Sequence, residues 1–234
     1  SYATGKYDYG DIGVLYRTNA QSRLFEERLV QQNIPHQVLG AFRFYERKEI
    51  KDLTAYLAVL FNPLDALSLK RIINTPKRGI GIKSIQSLER LAERDGLSLW
   101  DALHSNVILS ELSKRLQGKL TEFRDWLNQI QAKNKPLPDL IQVIYKGSGY
   151  QDELAKDEES FEDREAYIHS FIQAAKDFQP ENSESILGDF LQHLALISDL
   201  DNLQDSGRLL RLMTVHAAKG LEFPIVFVTG LEEH

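Results

Sequence analysis

The chain has 234 residues, of which 42% are hydrophobic and 26% charged, and it carries a formal net charge of −6 and no cysteine. These values predict a globular protein with one or two cores, and they exclude a disulfide framework and a zinc site built from thiolates. No apolar run is long enough to cross a bilayer, and the N-terminal residues lack the apolar stretch of a signal peptide. We therefore expect a soluble cytoplasmic protein. The six histidines show no paired ligand spacing, so we expect no structural metal.

The N-terminal quarter of the chain has the pattern of a strand, a helix, a second strand and a second helix. Residues 12–16, which read IGVLY, are a short apolar run, and residues 20–32 carry apolar side chains at helical spacing. Pro35 follows the end of that helix. Residues 38–39 then predict a short strand, and AFRFYERKEIKD leads into a helix that ends at about Phe61. This order predicts the start of a parallel α/β sheet.

The middle of the chain reads as helices joined by short loops that contain glycine or proline. Residues 112–130 and 186–200 show the apolar spacing of long amphipathic helices. Strand-like sequence returns only at residues 209–215 and 225–228. Because both of these runs are rich in apolar residues without clean alternation, we expect strands that are covered on both faces.

Strands at both ends of the chain, with helices between them, predict a discontinuous α/β domain. We assign residues 1–45 and 208–234 to this domain and residues 46–207 to an all-α insertion. The charge is also unevenly distributed. Residues 43–94 contain 11 Lys or Arg and 6 Asp or Glu, whereas residues 152–206 contain 3 and 15. A polyanionic partner would therefore meet the first of these two regions.

A glycine hairpin between two helices is the first candidate binding site. A helix is predicted to end near Ile73, the sequence NTPKRGIGIKS follows, and Ile82 begins the next helix, which is the pattern of a helix-hairpin-helix. Glycines allow backbone N–H groups to approach a phosphate at the start of a helix, whose dipole favours the anion. We predict sequence-independent phosphate contacts by Lys77, Arg78, Gly79, Ile80, Gly81, Lys83 and Ser84. The alternative is a helix connection that uses glycine only to turn.

The end of the first predicted strand is a second candidate site. Arg17, Thr18 and Asn19 follow that strand, and open α/β sheets bind ligands at the carboxyl ends of their strands. Arginine and asparagine suit phosphates or the backbone of a nucleic-acid strand. The structural alternative is that Thr18 or Asn19 caps the following helix while the arginine is solvated.

The loop between the last two predicted strands is the third candidate. Residues 212–230 read LMTVHAAKGLEFPIVFVTG. Small residues such as Gly220 permit close approach of a ligand to the backbone, and His216 and Lys219 can donate hydrogen bonds. Glu222 can accept a hydrogen bond from a hydroxyl such as a ribose 3′-OH. Each residue alone has an ordinary structural explanation, but the combination is more specific.

The segment TVHAAKGLEFPIVFV resembles motif V of the superfamily 1 DNA helicases of the UvrD, PcrA and Rep type. YRTNAQSRLFEERL, FYERKEIKDLTAYL and NTPKRGIG resemble further stretches of those helicases in the same order, so the resemblance covers essentially the whole chain. It implies an incomplete RecA-like parallel-sheet domain, called 2A, interrupted by a helical domain, called 2B, that contains the GIG hairpin. The implied activity is ATP-dependent 3′-to-5′ translocation and unwinding of DNA in repair or replication.

The resemblance also implies a role for each candidate site. The residues that match Arg17, Asn19 and His216 contact single-stranded DNA in that family. The loop residues that match Gly220 and Glu222 face the nucleotide. The hairpin, with its basic neighbours, contacts the duplex ahead of the fork.

The resemblance is restricted to the second half of those helicases. The sequence has no GxxxxGK[ST] phosphate loop, and it lacks the catalytic acidic pair and the arginine of motif VI. We therefore expect a fragment that cannot hydrolyse ATP alone, because phosphoryl transfer needs those groups. The resemblance implies ATP and Mg²⁺ as cofactors of the full-length enzyme, and we expect neither to bind the fragment tightly.

Further expectations concern the partners of the chain. The resemblance implies single-stranded and duplex DNA, the missing first motor domain (1A/1B), and possible repair or replication proteins, in the cytoplasm of a bacterial cell at the nucleoid and without a membrane. Two other functions remain open. One is a non-catalytic DNA-binding module that uses the hairpin alone, and the other is a protein-interaction module whose acidic helices dock a partner.

Overall fold

The computed structural model describes residues 7–131, 135–178, 186–202 and 208–230. Within these residues, none of the helices is both long and apolar enough to cross a membrane. The chain forms two compact units, which are described separately below. The first unit comprises Ser1–Ile50, Glu162–Phe171 and Gln192–His234, and the second comprises Lys51–Phe161 and Ile172–Leu191.

The first unit is built on a parallel β-sheet. Its strands are β1 (Ile12–Tyr16), β2 (His36–Val38), β3 (Leu210–Thr214) and β4 (Ile225–Val228). They lie in the order β2-β3-β1-β4, and each neighbouring pair is parallel. Helix α1 (Ser22–Gln31) connects β1 to β2. The structure therefore confirms the predicted α/β architecture and brings strands from both ends of the chain into one sheet.

The core of the first unit lies on the central strands. Its buried members are Val14, Tyr16, Val38, Leu210 and Leu212, and Phe25 and Leu29 of α1 pack against them. The prediction that the last two strands are covered on both faces is right for β3, because the successive residues Leu212 and Met213 face opposite sides and are both fully buried. It is wrong for β4. That strand lies at the edge of the sheet, and Val226, Phe227 and Val228 are 46%, 55% and 48% exposed.

The helices that follow β2 in the chain form the second unit and parts of the first. They are α2 (Lys48–Phe61), α3 (Ala66–Ile72), α4 (Ile82–Arg94), α5 (Leu99–His104), α6 (Asn106–Ser110), α7 (Lys114–Gln131), α8 (Leu137–Gly147), α9 (Tyr150–Leu154), α10 (Glu158–Asp177) and α11 (Ile186–Asn202). The predicted long helices correspond to α7 and α11. The segment AFRFYERKEIKD forms a 3-10 turn at Phe44–Glu46 before α2 begins.

The two compact units differ from the sequence-based division at three segments. Parts of α10 and α11, Glu162–Phe171 and the residues from Gln192 onward, belong to the first unit. The sequence-based division assigns these helical segments, as far as residue 207, to the helical insertion of residues 46–207, together with residues 46–50, which also belong to the first unit. That division into two domains stays a prediction.

The bounds of α3 and α4 have local causes. The Asp65 carboxylate accepts a hydrogen bond from the backbone N–H of Ser68 at 3.0 Å, which caps α3. Gly81 occupies the N-cap position of α4 in an extended conformation. Leu88 and Ala92, one turn apart on α4, are buried, so this helix has one apolar face in the core of the second unit. The residues between the two helices form the predicted hairpin.

Candidate functional site

Two of the predicted contact segments lie side by side in the first unit. Tyr16, the last residue of β1, pairs with Thr214, the last residue of β3, and the backbone N–H of Val215 donates to the Tyr16 carbonyl at 3.0 Å. Because the strands are parallel, the residues that follow them emerge at the same carboxyl edge of the sheet. We call residues 17–19 the first turn and residues 215–224 the edge loop.

The backbone of the first turn is held by Gln21. Its side-chain oxygen accepts hydrogen bonds from the N–H groups of Arg17 at 2.9 Å and Thr18 at 3.1 Å. Thr18 occupies the N-cap position of a 3-10 turn, as the structural alternative proposes, and the Arg17 side chain is exposed. Asn19 is half-buried. Burial raises the pKa of Tyr167, and a hydrogen bond from the Asn19 side chain partly offsets that rise.

The edge loop folds back on itself through a series of tight turns. The Thr214 hydroxyl accepts from the N–H of Ala217 at 3.2 Å, and the His216 carbonyl accepts from the N–H of Lys219 at 3.3 Å. The side chains of His216 and Lys219 are exposed. Backbone bonds and the Thr214 hydroxyl therefore fix the loop, which leaves the side chains of His216 and Lys219 available to a ligand.

Gly220 and Glu222 both lie on the exposed part of the edge loop. Gly220 has a φ of +85°, in the left-handed region, and a Cβ atom there would meet nothing within 4 Å. The backbone conformation therefore requires glycine at position 220, and the space beside this residue is open. The Glu222 carboxylate is exposed as well. The two predicted nucleotide contacts are thus both accessible to solvent.

Phe223 anchors the end of the edge loop, which the sequence did not predict. A Cβ atom on Gly13 of β1 would lie 2.9 Å from Cδ2 of the Phe223 ring. The ring therefore packs directly on the backbone of β1, and a side chain at position 13 would displace it. The sequence signal for this contact is the glycine inside an otherwise apolar strand.

The hairpin, residues 74–81 of the second unit, is organised by one side chain. The Asn74 side-chain oxygen accepts hydrogen bonds from the N–H groups of Arg78 at 2.9 Å and Ile80 at 3.0 Å. The Ile80 side chain is 1% exposed, so it anchors the hairpin in the core. Gly79 has a φ of +69°, which explains why glycine is needed there. Of the predicted contacts, Ile80 therefore faces the protein with both its side chain and its N–H.

The Arg78 guanidinium is also engaged inside the second unit. It donates hydrogen bonds to the carbonyls of Ile72 (2.9 Å), Pro76 (3.2 Å) and Ser148 (3.3 Å) and to the Tyr56 hydroxyl (2.6 Å). It also lies over the Phe123 ring, 4.9 Å from the centroid. The Tyr56 hydroxyl in turn donates to the Thr75 carbonyl at 2.5 Å. These bonds tie the hairpin to α2, α7 and the segment after α8.

The remaining predicted hairpin contacts are accessible. Lys77, Gly79, Gly81 and Lys83 are exposed, and Ser84 is half-buried. The structure adds Lys119 of α7, whose ammonium group donates to the Gly79 carbonyl at 3.1 Å and also lines a cavity of about 320 Å³ beside the hairpin. The sequence gives no signal for Lys119, because 40 residues separate it from Gly79.

The candidate residues therefore form two sites on two units. Arg17, Asn19, His216, Gly220 and Glu222 belong to the first unit, and the hairpin residues belong to the second. In the part of the chain that the structure describes, no group of three or more His, Asp or Glu side chains is arranged to hold a metal ion.

Comparison with known proteins shows similarity to helicases. A family model described as the UvrD-like helicase C-terminal domain matches residues 2–234. The chain is 40% identical to the ATP-dependent DNA helicase PcrA of Leuconostoc citreum, with 96% of this chain and 31% of that protein covered. It is also 40% identical to the ATP-dependent DNA helicase PcrA of Bacillus subtilis strain 168, with 99% of this chain and 32% of that protein covered. The chain thus spans about a third of the length of the curated relatives that it matches.

Proposed function

The chain belongs to the UvrD-like helicase C-terminal domain family, and we propose that it is the 2A/2B part of an ATP-dependent DNA helicase that moves 3′ to 5′ and unwinds duplex DNA in repair or replication. The first unit contributes the sheet of a RecA-like motor domain. The observation that best supports this proposal is the side-by-side position of the first turn and the edge loop at the carboxyl ends of β1 and β3. That edge is where open parallel sheets bind their ligands.

Single-stranded DNA is the proposed ligand of Arg17, Asn19 and His216. Arg17 and His216 are exposed at the same edge, and both side chains can donate hydrogen bonds to phosphate oxygens. Asn19 is half-buried, and its bond to Tyr167 orients its amide. Contacts of this type are independent of base sequence, as a translocating motor requires.

A binding experiment with a matched arginine tests the single-strand contact. Arg17→Ala should weaken binding of the chain to oligo-dT on the order of ten-fold at low salt and reduce the slope of log K against log salt by about 0.7, because one phosphate contact is lost. Arg28→Ala is the control, since Arg28 is equally exposed but lies in the last turn of α1, away from the carboxyl edge. Equal effects of the two variants would remove Arg17 from the strand contact.

The proposed ligand of Gly220 and Glu222 is the nucleotide. The open space at Gly220 and the exposed Glu222 carboxylate fit a ribose hydroxyl. They do not supply a phosphate cradle, and the sequence contains no phosphate loop. When bound in the full-length enzyme, ATP with Mg²⁺ supplies the phosphoryl group whose hydrolysis drives movement. The residues of this chain bind and orient the sugar on one side of that site.

The chain alone should therefore show no ATP turnover. Hydrolysis needs the phosphate cradle, the metal ligands and the arginine that stabilises the transition state, and these belong to other segments of the full-length enzyme. A phosphate-release assay on the isolated chain measures this. Turnover that disappears in the Glu222→Ala variant would contradict the expectation, because it would show a complete catalytic site in this chain.

Duplex DNA is the proposed ligand of the hairpin. Lys77, Gly79, Gly81, Lys83 and Ser84 are accessible and form the proposed phosphate-contacting surface at the start of α4. The Arg78 guanidinium and the Ile80 side chain are engaged within the protein. In this proposal the Arg78 and Ile80 side chains hold the hairpin in shape. They contribute to DNA binding by positioning the hairpin backbone that contacts the phosphates.

The remaining partners follow from the same assignment. A motor of this type needs its first motor domain (1A/1B), and it works on chromosomal DNA, so the proposed location is the cytoplasm of a bacterial cell at the nucleoid. Repair or replication proteins are the further proposed partners. These proposals rest on the family to which the chain belongs and on the names of its relatives, which are ATP-dependent DNA helicases.

A further inference from the structure

A second basic surface lies beyond the hairpin, along α4. A cleft of about 630 Å³ separates this helix from the residues that lead into α7. Lys83, Ser87, Arg90 and Arg94 line one wall, at spacings of four, three and four residues, so they share one face of the helix. Ser113 lies on the opposite wall. We call this the α4 cleft.

The far end of the α4 cleft carries no net positive charge. The Arg94 guanidinium donates to both carboxylate oxygens of Glu111 at 2.7 Å and to those of Asp95 at 2.7 and 2.9 Å. These hydrogen bonds raise the pKa of Arg94 and lower those of Glu111 and Asp95. These bonds use four of the five N–H donors of the guanidinium, and the two carboxylates offset its positive charge, so Arg94 attracts a phosphate weakly.

The near end of the α4 cleft keeps its positive charge. Among the residues that the structure describes, no carboxylate forms an ion pair with Lys83 or Arg90. Within the described ranges, the side-chain hydrogen bond of Arg90 is a neutral one, to the Ser87 hydroxyl at 3.1 Å. Both basic side chains are exposed. Two free cations and a hydroxyl group therefore line the same wall, next to the start of α4 where the hairpin ends.

We propose that the near end of the α4 cleft binds the phosphate backbone of duplex DNA and that Arg90 is a contact residue there. This proposal rests on the proposed duplex contact of the hairpin and extends it. Lys83 and Arg90 are separated by about 10 Å along the helix, which equals about three base-pair steps of the duplex. A backbone that meets the hairpin at Lys83 can therefore reach Arg90 with a later phosphate.

The chemistry of the cleft favours a nucleic-acid backbone over an acidic protein segment. Its free polar groups are cations and hydroxyls, the groups that most often contact phosphates and sugars. The hairpin beside it is the proposed contact for the same ligand, and Glu111, the carboxylate among the residues that line the cleft, lies at the far end and is held by Arg94. A regular phosphate chain needs no further recognition groups.

Fluorescence anisotropy of the chain with a blunt, labelled DNA duplex over a salt series tests this proposal. Arg90→Ala should weaken binding on the order of ten-fold at low salt and reduce the slope of log K against log salt by about 0.9. Arg90→Lys should restore the slope, because it keeps the charge. Arg94→Ala is the matched control from the same helix face and should leave the slope unchanged, since Arg94 is already neutralised.

The outcomes separate this proposal from the function on which it rests. If Arg90→Ala binds like the unchanged chain while Lys77→Ala loses affinity and slope, the cleft proposal is overturned and the hairpin contact stands. If Arg94→Ala reduces the slope as much as Arg90→Ala, the charge argument is overturned. An Arg90→Ala variant that loses binding of poly-glutamate but not of duplex marks the cleft as a protein-docking site. Absence of salt-dependent duplex binding by the unchanged chain overturns both proposals.

Discussion

The edge loop and the hairpin are both short glycine-containing connections with polar side chains, yet the protein uses those side chains differently. In the edge loop, backbone hydrogen bonds make most of the turns, with one further bond to the Thr214 hydroxyl, and His216, Lys219 and Glu222 remain exposed. In the hairpin, side chains hold the backbone. The Asn74 side-chain oxygen accepts hydrogen bonds from two backbone N–H groups of the hairpin, and the Arg78 guanidinium donates to three carbonyls.

The difference follows from how each connection meets its unit. The edge loop joins β3 to β4, each of which pairs with β1, and the sheet ladder and the Phe223 ring fix its ends. The hairpin joins two helices, whose ends leave backbone groups without partners, so side chains must satisfy them. A polar residue in a binding motif can therefore serve the ligand in one setting and the fold in another.

The largest effect that would test this comparison is expected at Arg78. Arg78→Ala should lower the free energy of unfolding of the second unit by about 3 kcal/mol, because it removes several charge-assisted hydrogen bonds and leaves half-buried acceptors without partners. Both tryptophans, Trp100 and Trp126, lie in the second unit. Urea unfolding followed by tryptophan fluorescence therefore reports on this unit.

The neighbouring residue provides the control for Arg78. Lys77→Ala removes an exposed cation of the same hairpin and should change the free energy of unfolding by less than about 0.5 kcal/mol. In DNA binding the order should reverse, since Lys77 is the proposed salt-dependent contact. A stable Arg78→Ala variant with a reduced salt slope would show that Arg78 contacts phosphate directly, and the contrast between the two connections would then fail.

A smaller effect is expected at the anchor of the edge loop. Gly13→Ala places a methyl group 2.9 Å from a rigid carbon of the Phe223 ring, so the ring must move. We expect a loss of about 2 kcal/mol in the stability of the first unit from this overpacking. Amide hydrogen exchange at Thr229, whose N–H bonds to the Leu15 carbonyl, measures it beside the affected strand.

A glycine in open surroundings controls for the added methyl group. Gly118 lies within α7, and a Cβ atom there would meet nothing within 4 Å. Gly118→Ala should therefore stabilise the second unit by about 0.5–1 kcal/mol, because alanine favours helix. If Gly13→Ala were equally harmless, the Phe223 ring would not fix the edge loop, and its exposed side chains would lack the support that distinguishes them from the hairpin.

The sequence predicted the strands, the main helices and the positions of both connections, because these depend on local patterns. The short apolar runs at residues 12–16 and 225–228 are sufficient to locate β1 and β4. It could not show that β4 lies at a sheet edge, since strand order depends on pairing between distant segments.

The same limit applies to the candidate sites. The sequence does not distinguish the four basic or polar residues of the hairpin, which are Lys77, Arg78, Lys83 and Ser84. Arg78 differs in the structure because its guanidinium is engaged, and its acceptors include the carbonyl of Ser148, which is 70 residues away. Lys119 reaches the hairpin from 40 residues away, and Arg94 is neutralised by Glu111 across 17. Which cation is free is decided by such long-range contacts, so it can be determined only from the folded chain.

The smallest expected effect is a change of stability with pH, which we expect in the sheet of the first unit and not in the second unit. Burial lowers the pKa of His36 in β2 below its ordinary value of 6.5, and the positive charge of Arg43 acts in the same direction, whereas a hydrogen bond to the Ile34 carbonyl opposes them. Burial also lowers the pKa of His193, against the opposing charge of Glu27. Both histidines belong to the first unit.

The sign of the pH effect follows from proton uptake. Above pH 6.5 His36 is neutral in both states, so the full stability of the first unit is present. As the pH falls below 6.5, the unfolded chain binds a proton that the folded sheet does not yet accept, and stability is lost until the folded pKa is passed.

His36→Asn, which keeps an N–H donor near the Ile34 carbonyl, should flatten this loss in the amide protection of β2 and β3. Because His36 lies outside the second unit, the tryptophan-detected transition should show no difference between the variant and the unchanged chain. A variant that loses β2 protection as steeply as the unchanged chain would show that His36 is not the group that titrates, and the acid sensitivity of the sheet would then have to come from His193.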